Sequence, residues 1–288
     1  MRKGLYEKFG KGAIRCLACA NKCVLPEGKT GICRVRKNDG GELNLLVDGK
    51  VVAEHVDPIE KKPLYHFLPG TKVYSISCVG CNFRCAWCQN FDISQATEII
   101  GRSRTPSEIV EAALRHGCES IAYTYTEPTI WAEFVYEVSK LAKKNSLKNV
   151  WVTNGYFSKE CLKLFAKEKL IDAMNIDLKS FREEVYRKYC GARLAPVLDS
   201  MKRVVEQKIH LEITTLLIPG INDSEKELKE IARFIFSLDG KGEVPWHISR
   251  FFPMYKMLDR PITPLKTLKK AEEIGRKVGL KYIYIGNV

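Results

Sequence analysis

From about residue 106 onward the chain alternates two apolar periods. Thr105-Pro106-Ser107-Glu108 reads as a capping box with proline in the first turn, and Ile109, Val110, Ala113 and Leu114 then share one helical face. A nearly unbroken apolar run, ESIAYTY, follows as a strand. The alternation continues with a helix from Pro128 to about Lys143, a strand at 149–153, a helix from Ser158 and a strand at 171–178. Next come a helix near 195–207, the strand HLEITTLLI at 210–218, and a helix expected to be capped by Asn222 with Glu225 three residues on. The strand VPWHIS, a helix opening at Thr263-Pro264 and ending near Gly279, and the strand KYIYI complete the series.

Apolar, β-branched strands separated by single helices predict an α/β fold with a parallel sheet covered by helices. With KVYSISC at 72–78 as the first strand there are about seven, fewer than a closed eight-fold barrel needs. The expectation is a partial parallel (β/α) barrel over residues 71–288, its chemistry at the C-terminal ends of the strands. Residues 1–70 differ, with four cysteines, turns at Gly28, Gly31 and Gly40-Gly41, and short strand candidates in LNLLVDGKVVAEHV. They predict a small cysteine-rich metal-binding module feeding a β-ribbon into the barrel.

Composition narrows the class. Hydrophobic residues make up 45% and charged residues 28% of the 288 positions, which excludes global disorder. No stretch approaches the roughly 18 consecutive apolar residues of a membrane helix, and MRKGLYEKFGKGAIRC has no apolar leader core, so the expected location is cytoplasmic, with no membrane partner. Net charge is +13, of which +8 falls in residues 1–37, where ten Lys and Arg face only Glu7 and Glu27. Such a segment suits nucleic acid or an acidic partner, but a solvated Lys-rich surface accounts for it equally simply and is the preferred reading.

The cysteines change the picture most. Clustered cysteines in a chain that is not exported point to metal, because the cytosol keeps thiols reduced. Eight of the eleven fall into two groups, while Cys118, Cys161 and Cys190 read as small buried hydrophobes. In CVGCNFRCAWCQN, Cys81, Cys85 and Cys88 are spaced C-x3-C-x2-C at the end of the first predicted strand. Three thiolates on one loop can hold three irons of a [4Fe-4S] cube and leave the fourth iron open, whereas zinc needs four ligands. The other group, Cys16-x2-Cys19-x3-Cys23-x9-Cys33, supplies four thiolates, enough for structural zinc or an auxiliary iron-sulfur cluster, with zinc preferred. Cys78 is an undecided extra ligand.

The C-x3-C-x2-C loop, with Trp87 as the aromatic before its third cysteine, resembles the radical S-adenosylmethionine (SAM) superfamily. That resemblance implies that the open iron chelates SAM and that an electron from the cluster splits the sulfonium to a 5′-deoxyadenosyl radical. An electron donor of flavodoxin or ferredoxin type is implied as a partner. Motifs at later strand ends extend the likeness. In TYTEPT, Glu127 matches the residue that takes the methionine amino group; VTNGY contributes Asn154; NIDLKS carries Asp177 and Lys179 two apart, hence on one face. The Asp-Leu-Lys resembles pyruvate formate-lyase activating enzyme, where it serves the ribose and carboxylate of SAM, and LIPGIND and VPWHIS, with His247, match its later strands. Val152 stands where that enzyme has an acidic residue for a monovalent cation, so the cation site does not carry over. Taken alone, Asp177 and Lys179 read equally well as a structural ion pair and His247 as a core histidine.

Together with PLYHFLPG, the N-terminal cysteine pattern resembles the "AmmeMemoRadiSam" group of archaeal and bacterial radical SAM proteins across essentially the whole chain. The expected function is hydrogen abstraction from a protein or other macromolecule. The alternatives are a glycyl-radical-enzyme activase in the strict sense and, remotely, a non-catalytic zinc and nucleic-acid-binding module. The last lacks the aromatic and basic interleaving that stacks bases.

Overall fold

The structure, a computed structural model, describes residues 4–288. Arg2 and Lys3 of the basic segment lie outside the described residues. The chain divides into two compact units: one formed by the chain up to Asn82 with Asn90–Ala173, the other by Phe83–Gln89 with Met174–Val288.

The first unit opens with a small antiparallel sheet of Tyr6–Lys8, Ile14–Cys16 and Val24–Leu25. A hairpin of Arg36–Asp39 and Glu42–Leu45 follows, turned by Gly40-Gly41 at φ 62° and 75°. β1 (Ala53–Pro58) pairs antiparallel with β2 (Lys72–Ser77) along its whole length. β2 is parallel to β3 (Ser120–Tyr123), and β3 to β4 (Lys148–Thr153). Val73, Ala122 and Val150 on these strands bury into one cluster with Ile59, Leu64 and Ala173, with Phe67 against it. β2 and β3 are buried on both faces, which is why their sequences run apolar without alternation. The connecting helices are α1 (Pro106–Arg115), α2 (Ala132–Lys144) and α3 (Lys159–Lys167). α1 starts on the expected capping box, Thr105 and Glu108 bonding reciprocally.

In the second unit the strands β5 (Ala173–Asp177), β6 (His210–Leu217), β7 (Trp246–Arg250) and β8 (Ile283–Gly286) lie in the order β8-β7-β6-β5, with β6, β7 and β8 parallel. The helices α4 (Leu194–Glu206), α5 (Glu225–Asp239) and α6 (Leu265–Val278) connect them, α6 closing on Gly279 at φ 109°. The α/β class and the predominance of parallel strands agree with the pattern of the sequence. One cap assignment does not. Ser224, not Asn222, caps α5 by accepting from Glu227 N. Asn222 instead accepts from Ile218 N and donates to the carbonyls of Lys179 and Leu216, a loop-tying role that satisfies buried backbone. α6 opens directly after Thr263-Pro264, as expected, with Pro264 at the cap position and the Thr263 hydroxyl donating to Leu217 O at 2.6 Å. No helix among the described residues is long and apolar enough to cross a membrane.

Candidate functional site

The strand ends of the first unit gather around Glu127. It follows β3 through Thr124-Tyr125-Thr126, where Tyr125 adopts φ 62°, a left-handed conformation costly for a side chain with a Cβ. What holds Tyr125 there is a buried cluster absent from the sequence reading. Its hydroxyl donates to Asp57 Oδ2 at 2.5 Å, Lys62 Nζ donates to the same oxygen at 2.8 Å, and the ammonium sits 4.4 Å from the Tyr125 ring centroid. Burial pushes Lys62 below the usual lysine range despite Asp57. Glu127 itself is buried, and both its oxygens are occupied: Thr129 N, the Thr129 hydroxyl and the Thr153 hydroxyl donate to Oε1, and Asn154 N donates to Oε2 at 2.9 Å. Desolvation raises its pKa, and those donors oppose the rise. Glu127 therefore fastens the end of β4 to the loop after β3.

Asn154 carries that link to the cysteine loop. Its Nδ2 donates to Asn82 Oδ1 at 2.8 Å and lies 3.9 Å from Cys81 Sγ, while its Oδ1 accepts from Tyr156 N. Cys78 is fully buried at the start of the loop, and burial pushes its thiol well up.

In the second unit, Cys85 accepts a hydrogen bond from Cys190, which holds its thiol below the usual range. The Lys179 ammonium adds to this, and both outweigh desolvation. Cys190 is thus more than the small buried hydrophobe expected. Lys179 Nζ donates to Asp177 Oδ2 at 2.7 Å. Burial would lower Lys179, but Asp177, then Cys85 and Cys190, keep its ammonium well above the ordinary range. Trp87 is buried against Tyr189, ring centroids 6.0 Å apart. Tyr189 lies in the irregular turn Tyr186–Cys190, whose carbonyls at 189 and 190 receive the backbone N–H groups of Ala86 and Arg84.

His247 on β7 bonds Glu212 on β6 through Nε2 at 2.6 Å and stacks on Tyr284, centroids 5.4 Å apart. The other Glu212 oxygen lies 3.0 Å from His210 Nε2. Glu212 is completely buried, and the sequence reading passed over it. A carboxylate inside the apolar run HLEITTLLI was the available signal, since an acid there needs a partner.

Among the described residues all eleven cysteines are free thiols. The residues fit the group that the spacing implies. Three thiols share one loop, one is biased toward thiolate by a cation and a thiol donor, and an amide N–H points at another. The structure thus places Glu127 with Asn154 and Cys81, and Asp177 and Lys179 with Cys85. His247 keeps separate company with Glu212.

Comparison with known proteins agrees. The Radical SAM superfamily profile matches residues 75–235. The chain is 46% identical over 291 aligned positions to an uncharacterized protein of Methanocaldococcus jannaschii, covering 100% of this chain and 86% of that one. It is 22% identical to the pyruvate formate-lyase-activating enzyme of Clostridium pasteurianum, over 67% of this chain and 86% of that one. Among solved structures, a radical SAM methyltransferase from Sphaerobacter thermophilus superposes with a TM-score of 0.61 at 17% identity, covering 76% of this chain and 67% of that one, a likeness of fold. Membership implies a [4Fe-4S] cluster and SAM. The chain belongs to the radical SAM superfamily.

Proposed function

We propose that this protein is a radical SAM enzyme that removes a hydrogen atom from a protein or other macromolecular substrate. The observation that carries the reading is the Asp177–Lys179 ion pair set against Cys85 of the C-x3-C-x2-C loop. Cys81, Cys85 and Cys88 are the thiolates that would hold the [4Fe-4S] cluster. When bound, cluster and SAM supply the electron and the 5′-deoxyadenosyl radical that abstracts hydrogen.

The chain's own residues bind and orient. Asp177 offers acceptors to a ribose and Lys179 a cation to a carboxylate. Without such a ligand each neutralises the other, Lys179 being the more buried of the two. Trp87 gives the loop a buried apolar side chain. Asn154 donates toward Cys81, and an N–H beside a thiolate favours its charged form. Glu127, already saturated with donors, supports the reading best as the residue that fixes Asn154; an ammonium group would have to share its oxygens. None of these groups needs to transfer a proton.

With reconstituted protein, Asp177→Asn and Lys179→Met are each expected to weaken SAM binding by about 1–3 kcal/mol, the cost of leaving a charged partner unsatisfied. The visible spectrum of the cluster should not change. Calorimetry reads the affinity, and wild-type values in both variants would return the pair to a purely structural role. The macromolecular substrate is supported by the activating-enzyme relative. It is tested by offering the enzyme an extract of deuterium-grown cells, split by ultrafiltration. Deuterium should reach 5′-deoxyadenosine from the retained fraction; transfer from the filtrate alone contradicts the reading.

A further inference from the structure

We propose that Cys16, Cys19, Cys23 and Cys33 form a mononuclear tetrathiolate zinc site whose filling steadies residues 80–82 of the neighbouring cysteine loop. Cys16 ends the strand Ile14–Cys16, Cys23 directly precedes the strand Val24–Leu25, and Cys19 and Cys33 stand in tight turns. Antiparallel pairing of the two strands brings Cys16 and Cys23 together, with Cys16 N donating to Cys23 O. All four thiols line a single cavity, shared with Asn21, Arg36 and Asn82. At Gly31 an added Cβ would lie 3.6 Å from Cys23 Sγ and 3.8 Å from Cys33 Sγ, so the turn passes directly over two of the sulfurs.

The cavity walls are equipped for negative sulfur. Arg36 is completely buried and donates from Nε to Cys16 Sγ at 3.2 Å, while its other nitrogens are held by Glu133. Asn82 is buried to 1% exposure, and its Nδ2 has no partner. A buried amide N–H without an acceptor is a cost that thiolate sulfur would relieve. Four thiolates on a divalent ion leave a local charge of −2, and the Arg36 Nε–H placed against Cys16 Sγ is a donor that such a charge would strengthen.

Size selects a single ion. The cavity is about 10 Å³, roughly the space one water needs. A cube of four irons and four sulfides needs several times that space. No three donors among the described residues already converge on a common centre. Closure on an ion therefore takes movement of the sulfurs toward a common centre within the cavity they already share. An all-sulfur tetrahedral set with room for one ion is zinc chemistry.

The same module props the loop that carries Cys81. Asn21 Nδ2 donates to Asn82 O at 3.3 Å. Gly80, at φ 95°, lies so close to the turn that an added Cβ would meet Cys33 O at 2.7 Å. Cys19 forms a β-bridge with Phe157, and Ala20 N donates to Tyr156 O, next to the loop that holds Asn154. Drawing the four sulfurs onto one ion fixes all three contacts together.

The test uses the full chain with Cys81, Cys85 and Cys88 all replaced by alanine, which removes the radical-cluster ligands from the measurement. It should purify with about one zinc per chain and no iron, and X-ray absorption should show four sulfurs at about 2.3 Å. Iron with sulfide in that variant, nitrogen or oxygen ligands on zinc, or no metal in folded protein would each overturn the site. Cys23→Ser should lose the zinc, and hydrogen exchange at residues 80–82 should then be at least tenfold faster than in the zinc-loaded protein. Unchanged exchange there would overturn the steadying role. Wild-type protein, whose folding is not at issue, should give the same zinc count.

Discussion

Cys85→Ala, purified anaerobically and reconstituted, is expected to hold no stable radical cluster and to form no 5′-deoxyadenosine above the rate without enzyme. The surroundings of Cys85 favour its thiolate, through the hydrogen bond from Cys190 and the charge of Lys179. Removing it takes one of three iron ligands and leaves a buried ammonium facing an alanine. Cys81→Ala and Cys88→Ala should behave alike. Cys118→Ala should retain activity, since Cys118 lies at the opposite end of β3 from the cysteine loop. Iron and sulfide counts with product analysis decide the matter. Wild-type turnover in any of the three variants would remove the basis for assigning the cluster to this loop.

Glu133→Gln is expected to produce the largest loss of stability of any single substitution outside the apolar core. Arg36 and Glu133 form a buried, bidentate pair, with guanidinium nitrogens 2.6 Å from each carboxylate oxygen, and Glu133 also accepts from Leu5 N. Burial alone would raise the Glu133 carboxyl, but Arg36, by charge and hydrogen bonds, holds it below the ordinary range. Glutamine keeps the shape and leaves the arginine charge uncompensated, which costs about 3–5 kcal/mol. At about 2–4 °C per kcal/mol the melting temperature should fall by roughly 6–20 °C. The direction with pH follows from the depressed carboxyl: the pair's contribution is complete above the unfolded carboxyl's pKa and fades as pH falls through the lower folded one. Replacing both residues by methionine should restore part of the loss, because neither charge is then buried alone. An unchanged melting temperature in Glu133→Gln would show that water reaches the guanidinium.

The features legible in the sequence rest on local information. The capping box at Thr105 and the two-residue offset of Asp177 and Lys179 lie within a few positions, and the structure keeps each of these two together. Buried strands could be read because their apolar runs have no alternation to misplace. What escaped notice depends on partners far apart in sequence. Arg36 meets Glu133 across 97 residues, Tyr125 meets Asp57 across 68, and His247 meets Glu212 across 35. Each half looks like an ordinary polar residue until the fold supplies the other. The α5 cap shows the opposite limit: Asn222 and Ser224 are equally good capping residues two positions apart, and only the demand of the Lys179 and Leu216 carbonyls decides between them. The donors saturating Glu127 come from two strand ends, so its anchoring role could not be read from TYTEPT alone.

The most direct test of the account is single-turnover product analysis on the intact protein. Anaerobically reconstituted chain, reduced with dithionite and given SAM, should yield 5′-deoxyadenosine and methionine in equal amounts, with none from protein lacking iron. A full complement of cluster iron with no 5′-deoxyadenosine would contradict the central claim that this site cleaves SAM by a radical route.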